Sequence, residues 1–192
     1  MEGLSFIPLT LQTWPLFEAL FEKHHGVRGG CWCAYYLQSS SGFDNTDRNG
    51  HKSAHYDVLS RYARTGMLMV KEGVAIGYAQ YGTWELFERY KRNRVLKDQA
   101  LPNQPLWRIS CLFVDKHQRH QHLVRPLVMA VLDDIAQRGG GVVEAFPFEF
   151  EENPDKFQFN GSVPFYQSLG FSKIDHIGRH EVRMQKIIGS SR

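Results

Sequence analysis

A basic loop lies between two apolar segments in the middle of the chain. Residues 106–114 are mostly large and apolar, residues 115–126 read Asp-Lys-His-Gln-Arg-His-Gln-His-Leu-Val-Arg-Pro, and a helical pattern then runs to the glycines at 139–141. A strand that enters a helix through such a loop brings unpaired N–H groups and the positive end of a helix dipole to one place. This arrangement predicts a binding site for a phosphate or pyrophosphate.

Glu144 is the first candidate for a general base, because it is a lone carboxylate in the apolar segment 142–146. Burial raises the pKa of a carboxyl group toward the range in which it takes up protons near neutral pH. The alternation of side chains along a strand leaves a second interpretation open, in which Glu144 faces solvent or a hydrogen-bonding partner. Glu149 is a weaker candidate for the same role.

Cysteines and histidines give two weak indications of a metal site. Cys31 and Cys33 lie near His24 and His25 in the sequence, but a C-x-C pair without a second pair is not the usual zinc pattern. The histidines of the basic loop are His117, His120 and His122. On a phosphate-binding loop they favour an anion-binding surface over a metal site. We therefore expect no metal, and we expect Cys111, inside an apolar segment, to be a small buried side chain.

Composition indicates one globular domain. The chain has 192 residues, 42% hydrophobic residues, three cysteines and a formal net charge of +3, and this length supports a core without disulfides or metal. The small net charge does not predict nucleic acid as a binding partner. The basic residues of segment 89–94 are expected to lie on a solvent-exposed helix face. The odd cysteine count favours reduced thiols and a cytoplasmic location, and no apolar run predicts a membrane helix.

Hydrophobic periodicity predicts a mixed α/β sheet that positions these residues. The predicted strands cover residues 6–9, 67–70, 74–81, 107–114, 142–146, 173–178 and 181–186. The predicted helices begin near residues 13, 53, 84, 124 and 162 and end near residues 26, 64, 95, 138 and 169, with a loop over residues 38–50. The helix after the basic loop is predicted to connect two parallel strands.

Three short motifs accompany the basic loop in a fixed order. They are Cys31-Trp32-Cys33, the strand Val143-Glu144-Ala145-Phe146-Pro147, and a C-terminal helix with Gly161, Tyr166, Gly170 and Phe171. In this combination the chain resembles the GNAT N-acetyltransferases over nearly its full length, and in particular a bacterial branch with an N-terminal Cys-Trp-Cys segment. The resemblance implies an α/β GNAT fold, with a central mixed β-sheet flanked by helices on both faces, in a single domain of residues 1–192.

The resemblance implies acetyl-CoA as the co-substrate. In the family, the pyrophosphate lies on a loop of pattern Arg/Gln-x-x-Gly-x-Gly/Ala, which aligns here with residues 119–124. Arg119 matches the pattern, whereas His122 and Val124 replace small residues that let the backbone approach the phosphates. The implied contacts to the thioester and the pantetheine arm are the main-chain N–H groups of Leu112, Phe113 and Val114. The implied contacts to the pyrophosphate are Arg119, His120, Gln121, His122, Leu123, Val124 and Arg125.

The resemblance also implies direct transfer of the acetyl group to an amine in a ternary complex. Tyr166 stands at the position of the family's frequent general acid, which protonates the leaving thiolate; packing in the core is the alternative for a Tyr on a short helix. The acceptor, a small-molecule or peptide amine, is expected to contact Cys31, Trp32, Tyr35 and Trp84. The alternative function is a non-catalytic CoA-binding or sensor domain, because the loop lacks its glycines. The resemblance is compatible with a homodimer.

Overall fold

The computed structural model describes residues 3–149 and 158–191, whose strands form one seven-stranded sheet. The strands are β1 (Leu4–Pro8), β2 (Met67–Lys71), β3 (Val74–Thr83), β4 (Leu106–Val114), β5 (Gly141–Ala145), β6 (Ser172–His176) and β7 (Val182–Ile188). Their order across the sheet is β1-β2-β3-β4-β5-β7-β6. β4 and β5 are parallel, and the other neighbouring pairs are antiparallel. This is the mixed sheet that the sequence predicts.

Six α-helices and three 3-10 turns connect the strands in the described ranges. The helices are α1 (Trp14–Lys23), α2 (Ser40–Asp44), α3 (Arg48–Tyr62), α4 (Glu88–Lys91), α5 (Val124–Gln137) and α6 (Val163–Gln167). The 3-10 turns are Trp84–Leu86, Lys116–Gln118 and Gln158–Asn160. As predicted, α5 follows the basic loop and connects β4 to β5. None of the helices described in residues 3–149 and 158–191 has both the length and the apolar composition needed to cross a membrane.

Helices cover both faces of the sheet, as the sequence predicts. On one face, α1 and α3 pack against β2 and β3, with Phe17 and Leu59 in the shared apolar cluster. On the other face, α5 and α6 contribute Leu127, Val131 and Tyr166 to a second cluster with the sheet. Complete burial of a Leu or Phe side chain stabilises the fold by about 1.5–3 kcal/mol. These two clusters therefore fix the helices against the sheet.

The segment before β2 contains more helix than the sequence predicts. α2 lies inside the predicted loop, because the Ser39 Oγ accepts a hydrogen bond from the N–H of Gly42 at 3.1 Å and caps its first turn. α3 begins earlier than the predicted residue 53. Its cap is Asp47, whose Oδ1 accepts a hydrogen bond from the N–H of Gly50 at 2.8 Å.

The predicted helix over residues 84–95 is wrong. A 3-10 turn and the single turn of α4 replace it, and Phe87 between them has a non-helical backbone (φ −100°, ψ 82°). Phe87 is fully buried in a third apolar cluster with Leu86 and Tyr90. The free energy gained by burying these side chains exceeds the free energy lost by interrupting a short helix, because such a helix has little intrinsic stability.

Candidate active site

β4 and β5 separate at their carboxyl ends. Their parallel ladder joins Leu106–Ile109 to Val142–Ala145, whereas β4 continues to Val114. A β-bulge at Ser110, in the ladder with β3, marks the point of separation. The Ser110 Oγ donates to the Gln80 Oε1 at 2.7 Å and holds the bulge in place. Beyond Ser110, no strand in residues 3–149 and 158–191 pairs with β4 on its β5 side; we call this side the open edge of β4.

The open edge presents two main-chain donors. The N–H of Asp115 donates to the O of Ile76 on β3 at 2.9 Å. Because main-chain groups alternate in direction along an antiparallel ladder, those of Phe113 point to β3, and those of Leu112 and Val114 point away from it. Of the three predicted thioester contacts, the structure therefore places Leu112 and Val114 on the open edge and uses Phe113 to pair with β3.

A cleft of 680 Å³ follows the end of β4 along the basic loop. Its walls are Val114, Gln118, Arg119, His120, His122, Leu123, Val124, Arg125 and Phe165. The cleft thus brings together the predicted pyrophosphate contacts except Gln121, which is exposed and donates to the Gln118 Oε1 at 3.3 Å. Phe165, from α6, completes the cleft on the other side.

The loop has a glycine-like backbone although it contains no glycine. His120 and His122 adopt left-handed conformations, with φ of 62° and 55°, which cost a non-glycine residue about 1–2 kcal/mol. His122 is the position at which the GNAT pattern has glycine, so the substitution leaves the glycine-type conformation in place. Val124, the second replaced small residue, is the first residue of α5 and packs against the core.

The cleft collects N–H groups and positive charge at the start of α5. The first main-chain bond of the helix joins the N–H of Leu127 to the O of Leu123. The N–H groups of Val124 and Arg125 therefore have no acceptor within the helix. The Arg125 guanidinium donates to the Ser168 Oγ at 2.6 Å, which ties it to the end of α6. Together with the helix dipole, this arrangement suits a diphosphate.

Asp115 fixes the loop to the last turn of α1. Its carboxylate accepts hydrogen bonds from the N–H of His117 at 2.9 Å and from the Lys23 Nζ at 2.6 Å. The His24 Nε2 lies 3.3 Å from the same carboxylate. Although burial opposes ionisation, Lys23 and the N–H of His117 hold the pKa of Asp115 below its ordinary value. The carboxylate thus stays charged and keeps the loop in position.

Tyr166 is fully buried, and its hydroxyl has no hydrogen-bond partner among the described residues. It shares an apolar cluster with Leu112 and Val114 of the open edge. Burial, and to a lesser degree the nearby Cys111, raises the pKa of Tyr166 far above its ordinary value, so the phenol keeps its proton at neutral pH. A buried hydroxyl without a partner costs about 1–3 kcal/mol.

No protein-family model matches the chain, and no curated protein does. Solved structures do resemble it. A Desulfovibrio desulfuricans protein assigned to the GNAT acetyltransferases is 15% identical with a TM-score of 0.56, over 97% of this chain and 99% of that one. The PaiA N-acetyltransferase from Thermoplasma acidophilum, in complex with coenzyme A, is 14% identical with a TM-score of 0.57, over 96% and 98%. The ribosomal-protein-S18-alanine N-acetyltransferase from Escherichia coli is 14% identical with a TM-score of 0.53, over 98% and 96%.

The chain has the GNAT fold. At these identities the likeness concerns the fold, and the bacterial branch with the Cys-Trp-Cys segment stays a prediction. Within the GNAT fold, the open edge of β4, the basic loop and the start of α5 meet at one cleft.

Glu144 belongs to a buried polar network, not to a substrate site. It is fully buried, and its Oε2 accepts a hydrogen bond from the Arg108 Nε at 2.9 Å. Its Oε1 lies 3.4 Å from the Arg183 Nη1, 3.0 Å from the Gln185 Nε2 and 3.3 Å from the Gln99 Nε2. These contacts agree with the second interpretation from the sequence, in which Glu144 faces hydrogen-bonding partners, and they do not favour a role as a general base.

Trp32 belongs to the core and not to an accessible acceptor wall. It is fully buried, and its ring stacks on Phe21 of α1 at a centroid distance of 5.7 Å. Its main-chain O accepts a hydrogen bond from the His55 Nδ1 at 2.7 Å. Burial lowers the pKa of His55 to about 4, so a neutral ring holds the segment against α3. Cys31, next to Trp32, is partly exposed.

Trp84 and Tyr35 also lie outside the cleft. Thr83 pairs with Trp107 near the amino end of β4, so Trp84 follows at the end of the strand that is remote from the basic loop. It lines a separate cavity of 190 Å³. Tyr35 is 39% exposed, and the Arg89 guanidinium lies 3.7 Å from its ring centroid. Complete burial leaves Trp32 no surface for contact with an acceptor, whereas Cys31, Tyr35 and Trp84 stay predicted acceptor contacts.

Glu181 is a titratable group near the end of β5 that no sequence motif indicates. It forms an isolated β-bridge with Phe148, just beyond β5, and its Oε1 accepts a hydrogen bond from the Tyr90 hydroxyl at 3.3 Å. Tyr90 stacks on Tyr36 at 4.7 Å, and the Asn160 Nδ2 donates to the Tyr36 hydroxyl at 2.7 Å. Burial raises the pKa of Glu181 to about 7. Tyr90 and Glu181 are 91 residues apart, so only the fold brings them together.

The residues considered for a metal form no site in ranges 3–149 and 158–191, where no three His, Cys, Asp or Glu side chains are arranged to hold an ion. The three histidines of the basic loop are exposed. Glu149, the weaker candidate for a base, is also exposed and pairs with Lys173 at 2.8 Å.

Proposed function

We propose that this protein transfers an acetyl group from acetyl-CoA to an amine in a ternary complex. The observation that carries the proposal is the cleft in which the open edge of β4, the basic loop and the amino end of α5 meet. The GNAT fold supports acetyl transfer, and the PaiA N-acetyltransferase that shares this fold is in complex with coenzyme A. We also predict that the protein is a single domain, that it is cytoplasmic and that it forms a homodimer.

The cleft supplies separate contacts for the two ends of acetyl-CoA. The N–H groups of Val124 and Arg125 and the Arg119 guanidinium would bind the pyrophosphate, as main-chain donors at a helix start and charged side chains do elsewhere. The N–H groups of Leu112 and Val114 would bind the pantetheine arm and polarise the thioester carbonyl. Val114, one of the two open-edge residues, lines the same cleft as Arg119, Val124 and Arg125.

The reaction forms a C–N bond and breaks the C–S bond of the thioester. Tyr166 is the general acid that we assign, because its buried phenol is protonated, lacks a partner and lies in the same cluster as the open edge. Glu181 replaces Glu144 as the base, acting through water. With a pKa of about 7, its carboxyl group can accept the proton of an amine at neutral pH. The acceptor that we propose is a small-molecule or peptide amine.

Calorimetry with acetyl-CoA, followed by a thiol-release assay over a panel of small amines and peptides, tests the proposal. We expect binding of acetyl-CoA and release of one thiol for each acetylated amine. Binding without turnover on any amine would leave only the sensor function, and absence of binding would overturn both functions.

Arg119→Ala and Arg92→Ala make a matched pair for the binding site. Loss of a charge-assisted hydrogen bond at Arg119 should weaken CoA binding about tenfold or more. Arg92 is 67% exposed, pairs with Glu88 and does not line the cleft, so Arg92→Ala should leave CoA binding unchanged. Equal effects of the two substitutions would place the cofactor elsewhere.

A further inference from the structure

The three cysteines of the chain converge at one place. Cys33 and Cys111 are buried with their sulfur atoms 3.1 Å apart, although they are 78 residues apart in the chain. Cys31 is partly exposed and stands two residues before Cys33 in the chain. The three cysteines thus lead from the surface, at Cys31, to the central strand β4, at Cys111. We call these three residues the thiol row.

The protein holds the thiol row firmly against β4. The Gln80 Nε2 donates to the main-chain O of Cys33 at 2.7 Å, and the Gln80 Oε1 accepts from Ser110 at the bulge. Trp32 and Cys33 both have left-handed backbones, with φ of 47° and 49°. Such conformations persist only where surrounding contacts enforce them, and they concentrate at functional sites. The close approach of Cys33 to Cys111 is therefore fixed by the fold.

Local electrostatics make Cys31 the reactive member of the row. The hydrogen bond with Cys33 lowers the pKa of Cys31 to about 7 against the opposing effect of burial, and Arg28 and His51 add to the shift. Burial raises the pKa of Cys33 well above its ordinary value. The thiolate is the nucleophilic form of cysteine. At neutral pH, a large share of Cys31 is therefore ready to react, while Cys33 stays a thiol.

We propose that the thiol row is an oxidation site for hydroperoxides, with Cys31 as the first sulfur to react and a Cys33–Cys111 disulfide as the product. The Cys31 thiolate attacks one oxygen of the hydroperoxide and the O–O bond breaks. That oxygen stays on Cys31 as a sulfenic acid, and the other leaves as an alkoxide, or as hydroxide from hydrogen peroxide, which takes a proton from solvent. The Cys33 sulfur then attacks the Cys31 sulfur, an S–S bond forms, and the hydroxyl leaves as water with the Cys33 proton.

The last step moves the disulfide inward. The Cys111 sulfur attacks the Cys33 sulfur, the bond between Cys31 and Cys33 breaks, and Cys31 takes the proton that Cys111 loses. In total, two thiols are oxidised and one hydroperoxide is reduced, and Cys31 returns to its starting state when its thiol gives the proton back to solvent. A Cys31–Cys33 disulfide closes a small ring across Trp32 alone, and strained disulfides of this kind are the labile ones. Exchange to Cys111 is therefore favoured.

The product disulfide would join the thiol row to β4 at Cys111, next to Ser110, where the open edge begins. This proposal does not depend on acetyl transfer, because it needs only the three sulfur atoms and a hydroperoxide.

Peroxide titration of the full chain, with free thiols counted after denaturation, tests the thiol row. Hydrogen peroxide should lower the count from three thiols to one, and a non-reducing digest should yield a peptide pair linked through Cys33 and Cys111. Three thiols left after excess peroxide, or a disulfide that only joins two chains through Cys31, would overturn the proposal.

Two serine variants test the order of the steps. Cys31→Ser should lose its remaining thiols at least about tenfold more slowly than the wild type, because the accessible thiolate is gone; an unchanged rate would exclude Cys31 as the first sulfur. Cys111→Ser should still react with peroxide and accumulate a Cys31 sulfenic acid, trapped by dimedone, or a Cys31–Cys33 disulfide. If Cys111→Ser accumulates neither the sulfenic acid nor the Cys31–Cys33 disulfide, the proposed order of steps is refuted.

A measurement on the unaltered protein covers the case in which a variant fails to fold. Limited alkylation with iodoacetamide at pH 7 should modify one thiol faster than the other two, and mass spectrometry should map it to Cys31. Equal rates at all three positions, or faster reaction at Cys33, would refute the assignment of Cys31.

Discussion

Tyr166→Phe is expected to make the CoA-free protein more stable. The Tyr166 hydroxyl is buried and has no partner among the described residues, which costs about 1–3 kcal/mol. Phenylalanine removes this cost and keeps the ring contacts with Phe165 and Phe171, at centroid distances of 5.2 and 5.1 Å. In a chain of this size, 1 kcal/mol shifts the Tm by about 2–4 °C. The Tm of the variant should therefore rise by roughly 2–12 °C.

Thermal unfolding without cofactor measures this effect, and Tyr78→Phe is the matched control. Tyr78 is also fully buried, but its hydroxyl donates to the main-chain O of Thr65 at 2.7 Å. Loss of that hydrogen bond should destabilise the protein by about 1–3 kcal/mol. The two Tyr→Phe substitutions are thus expected to change the Tm in opposite directions. A similar loss of Tm in both would refute the conclusion that the Tyr166 hydroxyl is unpaired.

The same variant tests the proposed acid. A general acid contributes about 10²–10⁴-fold to a rate, so Tyr166→Phe should lower kcat by about 100-fold or more with little change in CoA affinity. A variant that gains stability and keeps its turnover would remove Tyr166 from the mechanism. A variant that gains stability and loses turnover would show that the unpaired hydroxyl is kept for catalysis at the expense of the fold.

Three further substitutions address the loop, the base and the network. His122→Gly should tighten CoA binding in calorimetry, since glycine lets the phosphates approach the backbone; weaker binding would show that the imidazole contacts the phosphates. Burial raises the pKa of Glu181 from 4.5 to about 7. Its protonated form therefore contributes fully to the free energy of unfolding below pH 4.5, and this contribution is lost as the pH rises through 7. In urea unfolding, Glu181→Gln should therefore add on the order of 3 kcal/mol at pH 8 and nothing at pH 4, and equal gains at both pH values would contradict this. Glu144→Gln leaves Arg108 buried beside a neutral partner and should cost about 3–5 kcal/mol of stability; wild-type stability would show that the ion pair is dispensable.

The sheet could be predicted because its signals are local. Every residue of β4 is buried, and apart from Arg108 and Ser110 the strand is an apolar run. The spacing of Leu127, Val131 and Ile135 identifies α5 and its buried face. The helix over residues 84–95 could not be excluded from the sequence. The non-helical backbone of Phe87 depends on a cluster to which distant segments contribute, including Phe146.

The site was predictable only where one stretch of chain builds it. The basic loop and the start of α5 are contiguous, and six of the seven predicted pyrophosphate contacts line the cleft. The sequence left two interpretations of Glu144 open, because its partners Arg108 and Arg183 are 36 and 39 residues away. No local sequence pattern indicates Glu181 as a titratable site residue, because its burial beside Tyr90 arises only in the folded chain.

Asp115 connects the two faces of the sheet. The basic loop leads into α5 on one face, but the carboxylate that anchors it is bound by Lys23 at the end of α1, on the other face. The buried side of α1 in turn stacks on Trp32, between the two N-terminal cysteines, through Phe21. One helix, α1, therefore holds both the loop that lines the cleft, through Lys23, and the segment that carries Cys31 and Cys33, through Phe21.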